Sequence, residues 1–130
     1  MGAPMPETAC PYQLEVDPRS EGTVIRLRGA VTLGYADPMA DALQAAVAEA
    51  APPIVLELTD LTFINSAGLG ALVATHLQCR DAGRPVRVVN PPPAIERLLS
   101  LTHLNELFDV YASVADALRA GEPTGPSGEA

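Results

Sequence analysis

Basic residues are scarce in this sequence: Lys and Arg together number 8 against 16 Asp and Glu, for a formal net charge of −8. Nucleic acid and anionic membrane surfaces are normally met by a basic patch, so direct contact with either is not expected and a protein partner is favoured. Cysteine is equally sparse. Cys10 and Cys79 are far apart and in no CxxC-type spacing, which makes ordinary free thiols the expectation rather than a disulfide or a metal site. The two histidines, His76 and His103, are isolated, and His76 on a helix face reads as a packing residue rather than a ligand or base. No apolar stretch approaches the roughly 20 residues that a membrane span needs. The opening MGAPMPETACPYQ has neither the basic flank nor the apolar core of a signal peptide, so a cytoplasmic location is expected. Two chemical signatures are missing as well. There is no G-x-x-x-x-G-K-S/T loop for nucleotide hydrolysis, and no G-x-S-x-G elbow or evident Asp-His pair for a serine hydrolase. The chain reads as a binding protein rather than an enzyme, with no cofactor or metal.

What is present suits one domain. The 130 residues, 48% of them hydrophobic, are enough for a single core and too few for two. Residues 1–10 and the tail GEPTGPSGEA (121–130) are rich in Pro, Gly and small polar residues and are expected to be flexible, leaving residues 11–120 as the domain. YQLEVD and TVIRLRG alternate with period 2 and read as a hairpin around PRSEG. From Ala36 the period becomes helical, with Met39, Ala40, Leu43, Ala46, Val47 and Ala50 on one face. PPIVLEL is a nearly continuous apolar run, as suits a central strand covered on both faces.

A second helix follows DLTFIN, with Leu69, Leu72, Val73, His76 and Leu77 on one side and Gly83 as a C-terminal cap. VRVVN is a strand, PPPAIERLLSLTHL a helix, LFDVYAS a short strand, and SVADALRA a closing helix capped by Ser113. The expected order is ββαβαβαβα: an α/β domain with a mostly parallel sheet, an N-terminal hairpin and about four helices.

One corner stands out. In FINSAGLGAL a strand ending at Ile64 must turn into a helix, and Asn65 or Ser66 as N-cap would supply an oxygen for the unpaired amides of the first turn. Capping does not explain Gly68 and Gly70, each of which weakens a helix by about 0.5–1 kcal/mol relative to Ala. Their smallness must serve close packing, an exposed Ser at a tight corner, or the approach of another backbone. A helix N-terminus also attracts anions, so a nucleotide- or anion-binding role for this corner stays open. The segment Thr32, Leu33, Gly34 and Tyr35 reads as a loop, either simple turn chemistry around Gly34 or a partner contact.

The strand DLTFI, a Ser before a small residue and GLG, with RGAVT upstream and VVNPPPAIERLLSLTHL downstream, resembles the STAS domain of anti-sigma factor antagonists from about Tyr12 to Ala120. That resemblance implies partner switching: the antagonist binds a serine kinase that is also the anti-sigma factor, and phosphorylation of the acceptor serine ends the binding. By position the acceptor is Ser66, and the contact surface would comprise Thr32, Leu33, Gly34 and Tyr35 with Asn65, Ser66, Ala67, Gly68 and Leu69. A serine phosphatase would reset the switch. Two positions depart from the family pattern, Asn65 and Thr32 each standing where Asp is usual. The alternative within the same resemblance is a non-switching module, a signalling scaffold or a transporter-associated subunit.

Overall fold

The computed structural model describes residues 11–120. The flexible segment expected over 1–10, with Cys10, and the disordered tail expected over 121–130 lie outside the described residues.

Strands β1 (Tyr12–Arg19) and β2 (Gly22–Val31) form an antiparallel hairpin whose last pair is Arg19 with Gly22. The turn is therefore only Ser20–Glu21, and Pro18 and Arg19, read from the sequence as turn residues, belong to β1. β1 lies at the edge of the sheet, where a proline leaves no interior ladder bond unmade. Helix α1 (Ala36–Glu49) leads to β3 (Ile54–Glu57), and a short strand β4 (Leu61–Ile64) to helix α2 (Ser66–Asp81). Then come β5 (Val86–Val89), α3 (Pro93–Leu101), a 3-10 turn (Leu104–Glu106), β6 (Asp109–Tyr111) and α4 (Val114–Arg119).

The sheet runs β1-β2-β3-β5-β6, with every pairing beyond the hairpin parallel and β3 at its centre. The expected order ββαβαβαβα counts one strand between α1 and α2, although PPIVLEL and DLTFI each read as strand; the structure has two separate strands there. Thr59 and Asp60 interrupt the apolar run, and β4 then pairs in parallel with the far end of β2 rather than extending β3. This second strand delivers the chain to the beginning of α2.

Alternation on the central strands distributes the core over two layers. Ile25, Leu27, Ile54, Leu56, Val86 and Val88 face α1, α2 and α3, meeting Met39, Leu43, Leu69, Leu72, Ile95 and Leu99. Val24, Val55 and Val89 face the other way and pack on Ala117 of α4. Burial on both faces accounts for the unbroken apolar run in β3, and each such side chain contributes roughly 1.5–3 kcal/mol. Arg87 lies buried on the α4 side, where its Nη1 donates to the carbonyls of Ala117 (2.6 Å) and Ala120 (3.0 Å). A guanidinium thereby satisfies the C-terminal carbonyls of a six-residue helix that is too short to stand alone. Ser113 caps the other end of α4, accepting from the Asp116 amide at 3.1 Å.

His76 is buried on α2 and stacks obliquely on Phe108, ring centroids 4.8 Å apart, as a packing residue. Thr75 and Cys79 share this buried face, though periodicity alone did not select them. Cys79 is a free thiol whose burial pushes its pKa up.

Candidate functional site

The chain passes from strand to helix through a single residue, Asn65. Its backbone is extended (φ −81°, ψ 174°), and its amide donates to the Val31 carbonyl at 3.0 Å, adding one rung to the β2–β4 pairing. Its side-chain Oδ1 accepts from the Gly68 amide at 2.8 Å, and its carbonyl accepts from Leu69 at 2.9 Å. Asn65 is thus the N-cap of α2. Ser66 is not: it is the first helical residue, exposed to solvent. The capping account therefore covers Asn65 alone and leaves the Ser66 hydroxyl presented at the positive end of a 16-residue helix.

The two glycines part company. A Cβ on Gly68 would stand 2.8 Å from Ile64 Cγ1, 2.9 Å from Val31 Cγ1 and 3.2 Å from Asn65 Oδ1, so only a glycine lets α2 settle onto the ends of β2 and β4. A Cβ on Gly70 would meet nothing within 4 Å. Of the reasons the sequence leaves open for these small residues, packing against the sheet accounts for Gly68 and does not account for Gly70, which faces solvent.

The Thr32–Tyr35 loop follows directly from Val31, whose carbonyl holds Asn65, and so lies beside the Ser66 corner. The Tyr35 amide donates to the Thr32 carbonyl at 3.0 Å, closing a tight turn, and Gly34 supplies the positive φ (+91°) that the turn needs. Tyr35 is half-buried, meeting Tyr12 edge to face at 6.2 Å, and its carbonyl accepts the Met39 amide at 3.1 Å as α1 begins. Leu33, at the tip, is 91% exposed. Of the residues named from the sequence, Leu33, Gly34, Ser66 and Ala67 are exposed, Thr32, Asn65 and Tyr35 are half-buried, and Gly68 and Leu69 are buried.

Phe63, two residues before Asn65, is exposed although the sequence pattern does not single it out. Strict alternation would turn Leu61 and Phe63 to the same buried face. The ladder instead shifts, with Gly29 opposite Leu61 and Ala30 opposite Phe63, so that Thr62 is an extra residue. The Thr62 hydroxyl donates to the Gly29 carbonyl at 2.9 Å, and Leu61 and Ile64 both turn inward while Phe63 is left 50% exposed. A bulge of this kind re-aims a side chain. Leu33 and Phe63 are thus large apolar side chains left exposed on the two segments joined by the Asn65–Val31 hydrogen bond.

Among the described residues no group of three or more His, Cys, Asp or Glu could hold a metal ion, and no helix is long and apolar enough to cross a membrane.

Several known proteins resemble this chain. An anti-sigma F factor antagonist of Paenibacillus polymyxa is 27% identical over 110 residues, covering 82% of this chain and 92% of that protein. Proteins of Thermotoga neapolitana and Thermotoga maritima are 32% identical over 65 residues, half of this chain, and the match spans only 58% of their own length. The crystal structure of an anti-sigma factor antagonist from Mycobacterium paratuberculosis superposes with a TM-score of 0.73 at 29% identity, over 82% of this chain and 91% of that one. The Bacillus cell fate determinant SpoIIAA in its phosphorylated form shares the fold, with a TM-score of 0.60 at 21% identity over 82% of this chain and 96% of that one. With residues 12–117 matched to the STAS domain, the chain belongs to the STAS domain family.

Proposed function

We propose that this protein is an anti-sigma factor antagonist of the cytoplasm, which binds a serine-kinase anti-sigma factor through the Ser66 corner and is released when that kinase phosphorylates Ser66. The observation that carries the reading is the position of Ser66: an exposed hydroxyl at the first residue of α2, with the cap supplied by its neighbour. The names of the relatives support an anti-sigma factor as the partner.

The physical chemistry of the switch is local. A phosphate adds about 1.5–2 negative charges at pH 7. At a helix N-terminus such charge is favourable by about 0.3–1 kcal/mol, so the domain keeps its fold. In a docked interface the same charge must be stripped of water without a counter-charge, which expels the partner. Asn65 retains the cap without the negative charge that Asp would place next to the acceptor.

The test is direct. Incubation of the protein with its anti-sigma kinase and ATP should attach one phosphate, Ser66→Ala should abolish it, and the phosphorylated protein should no longer bind the kinase. Phosphate at another residue, or binding indifferent to the phosphate, would overturn the switch. Stable binding with no phosphate transfer would assign the protein to the non-switching modules.

A further inference from the structure

Where α2 packs on the sheet, the core leaves a small cavity. Leu43 of α1, Ile54 of β3, Leu72 of α2 and Phe108 supply apolar walls, and Thr75 and His76, successive residues of α2, supply polar ones. Both are almost wholly withdrawn from solvent, at 2% and 3% exposed. A threonine inside a helix commonly bonds its hydroxyl to a carbonyl three or four residues back. Thr75 does not: among the described residues its Oγ1 has no hydrogen-bond partner. Neither ring nitrogen of His76 makes a hydrogen bond of normal geometry, and burial and Arg80 repel a proton from the ring more strongly than the Leu107 and Val86 backbones draw one in. A hydroxyl and an imidazole left bare in an apolar interior are costly, and folded proteins rarely leave such groups unsatisfied.

We infer that this cavity is an internal hydration site, holding one water that bridges the Thr75 hydroxyl to a ring nitrogen of His76. Size selects the occupant. The centre of a water molecule has about 10 Å³ in which to sit, the least that admits one, and an organic ligand has no room. Charge excludes an ion, since no carboxylate lines the walls and an unpaired charge in an apolar interior is prohibitive. Water can both donate and accept, so it suits a hydroxyl on one side and either face of a neutral imidazole on the other, and two polar partners meet the minimum for an ordered buried water. By bonding one nitrogen, the water also fixes which tautomer His76 adopts. The site stands apart from the Ser66 corner, nine residues and about 13 Å back along α2, and does not depend on the proposed function.

A high-resolution crystal structure of the whole chain is the direct test. One water should lie about 2.7–3.2 Å from both Thr75 Oγ1 and a His76 ring nitrogen. An empty cavity, or Thr75 turned to bond a carbonyl of α2, would overturn the inference. Thermal unfolding at pH 7.5 gives an independent reading through Thr75→Val, which keeps the side-chain shape and removes the hydroxyl. If the hydroxyl holds a water, Tm should fall by about 4–8 °C, and the fall should shrink by at least half in a His76→Phe background, where the bridge is already broken. A Tm raised by Thr75→Val would show a dry cavity, because an orphan hydroxyl would have been traded for a methyl. An equal fall in both backgrounds would assign the hydroxyl to the helix backbone. Either result refutes the bridge.

Discussion

Replacing Gly68 with alanine sets two effects of known size against each other. Within a helix, Gly→Ala gains up to about 1 kcal/mol, partly by restricting the unfolded chain. Against this, the new methyl would stand 2.8 Å from Ile64 Cγ1 and 2.9 Å from Val31 Cγ1, well inside contact distance. Neither neighbour can retreat: Val31 is fully buried and Ile64 is 3% exposed, and both are branched chains at the β2–β4 pairing that anchors Asn65. Overpacking of this kind costs roughly 1–3 kcal/mol. The third contact, at 3.2 Å, is with the Asn65 oxygen that caps the helix, so relief by shifting α2 would strain a cap worth about 1 kcal/mol. The clash should win, with a net loss of about 1–2 kcal/mol. Urea unfolding should show a lower midpoint at unchanged m, and Tm should drop by about 4–8 °C. Val31→Ala removes one of the two opposing carbons, so the double variant Val31→Ala/Gly68→Ala should be more stable than the sum of the single losses implies, by about 1 kcal/mol. A Gly68→Ala variant as stable as wild type would refute the reasoning, because α2 would then not be seated through this contact.

Asn65→Ala should cost about 1 kcal/mol by leaving the Gly68 amide unpartnered, whereas Asn65→Asp should keep the cap and gain about 0.3–1 kcal/mol from its charge at the helix N-terminus. Denaturant melts at low and high salt check this: a gain for Asp that survives 1 M salt would contradict the dipole explanation. His76 should make the fold acid-sensitive. Burial, followed by the nearby Arg80 charge, holds its pKa below the ordinary histidine value, against weaker opposing pulls from the Leu107 and Val86 backbones and from Asp109. Since the unfolded chain binds this proton more tightly, the stability associated with neutral His76 is present above about pH 6.5 and is lost progressively as pH falls below it. Tm followed from pH 7.5 to 5 should decline more steeply in wild type than in His76→Phe; identical slopes would remove His76 as the cause.

Much of the architecture was legible in the sequence because local patterning and burial agree there. The α1 face of Met39, Leu43 and Val47, the doubly buried run of β3, the Ser113 cap and the positive-φ Gly83 all depend on near neighbours in the chain. The hairpin turn was read too long, because Pro18 signals a break unless the strand is known to lie at an edge.

Within the candidate site, local patterning in the chain is enough to show that a strand meets a helix at Asn65–Ser66 and that small residues follow, and the family likeness makes Ser66 the proposed acceptor. Tertiary structure decided the rest. Which of the two residues caps depends on the angle at which β4 enters α2, and that angle is set by the rung between Asn65 and Val31, 34 positions away. Whether a glycine is required depends on what stands opposite it, and Val31 opposes Gly68 while nothing opposes Gly70. Phe63 is exposed only because a bulge against Gly29 interrupts the alternation that would have buried it. Period and propensity report on neighbours along the chain, and each of these decisions was taken by a neighbour across the sheet.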